Sequence, residues 1–343
     1  MNHNAPLSHH SHRSSSGRPV PLAHLERARR RVMTVRELRA HGVPAVLIAE
    51  RCRPGGPWQQ LLPQIVLLHP GPATGEERAH AALLYATRPP HGQHCAPDSM
   101  ITGLAALALR RFEAVPPLIG LKWIDVLLPR YRRLRSAGDV RIHRAPGLPR
   151  PEPVNGLACA PVPRAIADAV ASLEDDPATV RALLIESVRS GHCEPAAVIG
   201  ELTEARLLSR RHVVGAVDAL LTEGRSMAED RLYEMVRCFG LPDPAWNVGL
   251  QVPGGPCLGV VDAYWPEQAV ALELDARAPG QDDELWSDYS RQQQHMERLG
   301  ITVIRMTPKK LRESLEQQAI TVRTALTNAA DRQPTAYVCV LPR

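Results

Sequence analysis

The 343-residue chain has no run of 18 apolar residues, and its N-terminus lacks the apolar core of a signal peptide. Membrane insertion and export are therefore not expected, and the cytoplasm is the expected location. Its seven cysteines, at positions 52, 95, 159, 193, 238, 257 and 339, are odd in number and never spaced as Cys-x-x-Cys. Free thiols in a reducing compartment fit this pattern better than a disulfide framework or a zinc site. There is no Gly-x-Ser-x-Gly elbow, Walker loop, dinucleotide glycine fingerprint or His-Glu-x-x-His pair. Elbow-type hydrolysis, nucleotide binding and zinc proteolysis lose their sequence support accordingly. Lysine occurs only at 122, 309 and 310. No internal repeat is found.

What is present is a hydrophobic content of 44%, enough to build cores for two or three domains, and an uneven charge. Residues 1 to 150 hold 22 Lys+Arg against 9 Asp+Glu, a balance of +13, while the remainder holds 19 against 27, a balance of −8. Such a split suggests a polyanion-binding front half joined to an acidic back half. The arginine bias can come from a GC-rich genome, so the distribution carries the point rather than the residue type.

Residues 1 to 24, with four histidines among Ser and Asn between positions 3 and 12, read as a disordered polar tail, with loose metal binding as the alternative. Within residues 25 to 72, Leu25 to Arg31 reads as a short basic helix. Thr34-Val-Arg-Glu37 is a capping box that opens a helix ending near Gly42, and a second helix runs from about Pro44 to Arg53. Trp58 to Leu68 then suits a strand and wing. Two short helices with a tight turn and a following wing predict a winged helix-turn-helix. The expected DNA contacts are Arg51 and Arg53 on the second helix, with Arg29, Arg30, Arg31, Arg36 and Arg39 on or before its support. An ordinary helical hairpin with a solvated basic surface is the alternative.

Residues 73 to 224 read as a mainly helical middle domain, with strands expected only at Trp123 to Leu128 and Asp139 to His143. Between these lies Pro129-Arg-Tyr-Arg-Arg-Leu-Arg135, either a nucleic-acid contact or a solvated turn. A third domain is expected over residues 225 to 330, followed by a tail at 331 to 343. Ser226-Met-Ala-Glu229 reads as a capping box opening its first helix. Strands follow at Trp246 to Val252, Leu258 to Tyr264 and Ala269 to Asp275, then a helix from Asp282 to Leu299, a strand at Ile301 to Met306 and a helix from Pro308 to Leu326. The order is α-β-β-β-α-β-α.

The expected hairpin of this domain gathers three acids. With a turn of two or four residues, Asp262 is expected to face Ala271 with Glu273 as its diagonal neighbour. Asp262, Glu273 and Asp275 then share one face, and Val261, Val270, Leu272 and Leu274 the other. Like charges that close need a cation or hydrogen-bond donors, and a hard cation such as Mg2+ takes carboxylate oxygens. A solvated acidic face on an edge hairpin is the alternative.

This order, with an acid on the hairpin's first strand and Glu-x-Asp ending its second, resembles the restriction-endonuclease-like PD-(D/E)xK superfamily. The likeness is greatest to the branch related to very-short-patch-repair endonucleases, over about residues 226 to 315. The resemblance implies a site built from Ser226/Glu229, Asp262, Glu273, Asp275 and Asp288/Arg291, with Glu229, Asp262 and Glu273 as Mg2+ ligands. It departs from the pattern where Asp275 replaces the usual lysine, and His295 is the candidate base or proton donor. The front half resembles AbiEi-type antitoxin and transcriptional-regulator proteins, with Val154-Asn-Gly-Leu157 to Asp168 matching a recurrent middle segment.

The expected fold is thus α+β and multidomain: a winged helix-turn-helix, a helical middle domain and a restriction-endonuclease-like α/β domain. The favoured function is a DNA-binding transcriptional regulator of antitoxin type with a degenerate nuclease-like domain. A Mg2+-dependent DNA endonuclease and a non-catalytic antitoxin acting through a toxin are the alternatives. The expected partners are double-stranded DNA, a cognate toxin and a second copy of the chain, with no membrane.

Overall fold

The computed structural model describes residues 31–87, 99–274, 283–330 and 338–342, without the side chains of 283–290 and 330. Among these residues the chain is a mixed α and β protein with three sheets.

The first sheet forms from β1 (Val32–Thr34), β2 (Gln59–Leu62) and β3 (Ile65–Leu67), with β3 in the middle and all pairs antiparallel. Between β1 and β2 run α1 (Val35–Ala40) and α2 (Ala45–Arg51). The capping box forms: Thr34 Oγ1 accepts the Glu37 N–H at 3.0 Å, and Glu37 Oε2 accepts the Thr34 N–H at 2.8 Å. The turn between the helices passes through Gly42 at φ +81°, a conformation that side chains with a Cβ rarely adopt. Alternation along β3 divides its burial. Val66 joins Met33, Leu38, Val43, Ile48 and Trp58 in a small core beneath the helices, whereas Ile65 and Leu67 enter the main core of the chain.

The middle of the chain holds five strands where two were expected, alongside its helices. After α3 (Gly75–Ala86) come β4 (Met100–Ile101), α4 (Gly103–Leu109), β5 (Ile124–Pro129), β6 (Val140–Ala145), β7 (Glu152–Val154) and β8 (Leu157–Cys159). They make a five-stranded sheet in the order β6-β5-β4-β8-β7, covered by α3 and α4, with α5 (Val162–Ser172) packed on α4. Helix α4 begins only at Gly103, because Met100 and Ile101 pair with β5. Next come α6 (Pro177–Arg189), α7 (Pro195–Glu204) and α8 (Arg211–Cys238).

Helix α8 overturns the expected helix start at Ser226. Ser226 lies inside its 28 residues and caps nothing. The first half of α8 places Val213, Ala216 and Leu220 in the main core, and the second half places Ala228, Leu232, Met235 and Val236 in the next. Gly224 stands at the crossing, where a Cβ would lie 2.8 Å from Pro195 Cγ.

The third sheet has the order β12-β11-β10-β9-β13, from β9 (Ala245–Gln251), β10 (Cys257–Trp265), β11 (Val270–Leu274), β12 (Thr302–Met306) and β13 (Cys339–Pro342). Only β11 and β12 are parallel, joined by the crossover helix α9 (Asp283–Arg298). The final helix expected from Pro308 divides at Ser314 into α10 (Pro308–Glu313) and α11 (Leu315–Ala330). The expected C-terminal tail contributes β13, which covers the edge of β9. Among the described residues no helix is long and apolar enough to cross a membrane.

Candidate nucleic-acid interface and acidic cluster

The arginines expected to meet DNA fall into three groups. Arg29 and Arg30 lie outside the described residues. Arg31, Arg36, Arg39 and Arg53 are exposed on or beside α1 and α2. Arg51 is different: its guanidinium stacks 5.0 Å over the Trp58 ring, and its Nε is buried without a hydrogen-bond partner. Its cation is committed to joining α2 to the strand that follows. The chain returns beneath α2 through Gly56, where a Cβ would lie 2.3 Å from the Arg51 carbonyl oxygen, so only glycine fits.

The outward face of α2 is small and largely apolar. Ala45, Val46, Ala49 and Glu50 are exposed, Val46 by 80%. The exposed cations stand on α1, at Arg36 and Arg39, and just past the end of α2, at Arg53, rather than among these residues. Small apolar side chains at such a position suit contact with thymine methyl groups in a major groove.

The acidic hairpin has a different register from the one expected. Ala263 faces Leu272, Tyr264 faces Ala271 and Trp265 faces Val270, a shift of two residues that brings Glu273 level with Asp262. The expected apolar face is also corrected. Ala263, Val270 and Leu272 pack with α8 and α11, but Val261 packs with Met296 on the α9 side. On the neighbouring strand, Trp246 and Val248 divide between the same two cores, and Asn247 between them has φ +50°. Asp262 and Asn247 thus occupy the point where two paired strands exchange faces.

That position explains an acid within apolar strands. Asp262 Oδ2 accepts the Leu274 N–H at 2.6 Å, and Oδ1 accepts from Arg225 Nη2 at 2.8 Å. Arg225 also donates from Nε to Glu229 Oε1 at 2.9 Å, so one guanidinium lies across both acids. Its pKa is raised, first by the bond to Glu229 and then by the charge of Asp262, with partial burial opposing them. Glu229 is therefore a partner of Arg225 and not the reciprocal acid of a cap. Glu273 pairs with Arg305, its register neighbour on β12, at 3.3 Å.

Three expected Mg2+ ligands are thus held by arginines of the chain itself. Among the described residues no group of three His, Cys, Asp or Glu side chains is arranged to hold a metal ion. The donor set does not fit Mg2+ as it stands, because Arg225 fills the place where a cation would compensate Glu229 and Asp262. Asp275 lies outside the described residues, and of Asp288 only the helical backbone is described. Arg291 and His295 are exposed on α9, and His295 makes no bond to these acids.

A second polar cluster was not foreseen. Asp125, buried on β5, accepts from Arg141 Nε at 2.6 Å and from His143 Nε2 at 2.6 Å, both on the edge strand β6. Burial alone would raise the Asp125 pKa, but the bonds from His143 and Arg141 outweigh it and hold the carboxyl below its ordinary value. Gly103 at φ +57° brings the start of α4 against this carboxylate, with a Cβ position 3.3 Å from Oδ2. Nearby, Asp168 accepts from Thr102 Oγ1 at 2.5 Å and pairs with Arg164. The sequence signal was available: Asp125 interrupts an otherwise apolar run, and Arg141 and His143 share one face of the next strand.

No family model and no curated protein sequence matches this chain.

Proposed function

We propose that this protein is a sequence-specific DNA-binding regulator of antitoxin type, whose N-terminal unit is a winged helix-turn-helix. The observation that carries this reading is the succession β1-α1-turn-α2-β2-β3. It leaves α2 with an exposed, small apolar face, in a unit that also exposes Arg36, Arg39 and Arg53. A second helix presented this way suits the major groove, and the β2–β3 hairpin beside it takes the place of a wing. Exposed arginines suit phosphates, which position a protein on a duplex without reading its sequence.

The C-terminal body has the element order of a restriction-endonuclease-like domain, and this reading takes it as non-catalytic. Two features support that choice: the carboxylates are already neutralised by Arg225 and Arg305, and Asp275 stands where that superfamily has its lysine. A body of this kind is available for a toxin or a second copy of the chain. The proposed location is the cytoplasm.

A mobility-shift and footprinting assay on DNA from the protein's own locus, with and without Mg2+, tests the reading. The expected result is one discrete footprint and intact DNA in metal. Absence of duplex binding overturns the regulator. Metal-dependent cutting that is lost with Asp262→Ala or Glu273→Ala makes the protein an endonuclease instead.

A further inference from the structure

We propose that the loop from Pro129 to Arg135 is a second, preorganised duplex-backbone contact that extends the grip of the N-terminal unit. The proposal rests on the DNA-binding reading above and adds a separate surface to it.

The loop is held by its own carbonyl groups. Arg144 on β6 donates from Nε to the Arg132 carbonyl at 3.1 Å and from Nη2 to the Leu134 carbonyl. Tyr85 Oη donates to the Arg135 carbonyl at 2.9 Å, and the Arg132 N–H closes a turn onto the Pro129 carbonyl at 3.0 Å. Arg132 itself reaches inward to the Ala86 carbonyl at 2.7 Å, fastening the loop to the end of α3. Its oxygens are drawn inward.

The remaining cations point outward. Arg130, Arg133 and Arg135 are exposed and make no side-chain hydrogen bond or ion pair among the described residues. Tyr131 between them is 71% exposed. A backbone fixed from beneath presents three cations at little further ordering cost, and each phosphate they meet releases a condensed counterion.

The position of the loop favours the same partner as α2. Gly138, which follows it at φ +55°, packs against β2, where a Cβ would lie 3.0 Å from Leu62 Cδ2 and 3.6 Å from the Leu61 carbonyl. The loop therefore continues the surface of the β2–β3 hairpin. With no acid among its seven residues, it suits a polyanion with evenly spaced charges.

The test uses the full chain and a fluorescent duplex of mixed sequence, with affinity measured across a salt series. Replacing Arg130, Arg133 and Arg135 together by alanine should reduce the slope of log affinity against log salt by about 2 to 3, since each phosphate contact contributes about 0.9. The triple lysine variant should restore most of that slope. Thermal unfolding should be unchanged, because these side chains hold nothing in place. A slope within about 0.5 of wild type, with Arg36→Ala/Arg39→Ala still lowering it, removes the loop from the interface and leaves the regulator standing. If the unaltered protein binds no duplex, both proposals fail together.

Discussion

Replacing Asp262 by alanine separates a structural carboxylate from a metal ligand. The substitution removes the acceptor of the Leu274 N–H and one of the two acids around Arg225. A hydrogen bond from a backbone N–H to a charged group contributes about 1.5–3 kcal/mol. The pair with Arg225 adds at most about 1 kcal/mol, because that arginine is 45% exposed and screened by water. The expected loss is therefore about 2–4 kcal/mol, felt first where β11 ends.

Hydrogen exchange reads this loss directly. The Leu274 amide should exchange roughly 30- to 1000-fold faster in the variant, each tenfold step corresponding to about 1.4 kcal/mol. The same measurement in Mg2+ decides the second question. A site with Kd near 1 mM would stabilise the wild type by about 1.4 kcal/mol in 10 mM metal. The arrangement around Arg225 predicts no such gain, with the variant equally destabilised with and without metal. A saturable Mg2+ protection of the wild type that Asp262→Ala abolishes would refute the reasoning.

Other perturbations probe the remaining parts of the molecule. Asp125→Asn leaves Arg141 and His143 without their shared charge and should destabilise by about 2–3 kcal/mol in chemical denaturation, less than the ~3–5 of a fully buried pair because both partners are partly exposed. Because the folded state holds the Asp125 carboxyl below its ordinary value, its contribution is complete above about pH 4 and is lost as pH falls through the folded value. Acid titrations of wild type and Asp125→Asn should therefore converge at low pH and diverge above it. Thr34→Ala removes the capping-box hydroxyl and should cost about 1 kcal/mol in thermal unfolding. Arg51→Ala should lower stability by about 0.5–1 kcal/mol through loss of the Trp58 stack, whereas Arg53→Ala should leave stability unchanged and lower the salt slope of DNA binding by about 1.

The parts legible in the sequence were those with local chemical signals. The Thr34/Glu37 cap, the turn at Gly42 and the strands around the Asp262 hairpin each follow from neighbouring residues. Of the central sheet, β5 and β6 were legible as strands, whereas β4, β7 and β8 were hidden because two or three residues are too few to show alternation. The turn between β7 and β8 did carry a signal. Asn155 and Gly156 both have positive φ, the requirement of a two-residue hairpin turn, and the pair stands between Val154 and Leu157. The Ser226 cap misled because Ser-x-x-Glu also occurs inside a helix, where Glu229 meets Arg225 one turn back. Register escaped because counting across a hairpin does not reveal which of several even-numbered pairings closes it. The arginines opposite Asp262 and Glu273 come from distant segments, which spacing alone cannot connect.

Helix α8 makes two bodies indivisible. At about 1.5 Å per residue its 28 residues form a rod about 42 Å long, and buried side chains from its two halves belong to different cores. Cutting the chain at its middle would leave raw apolar stripes on both fragments. The acidic sheet consequently travels as a fixed outrigger of the central one, and a load applied to either end is transmitted along a girder without a joint.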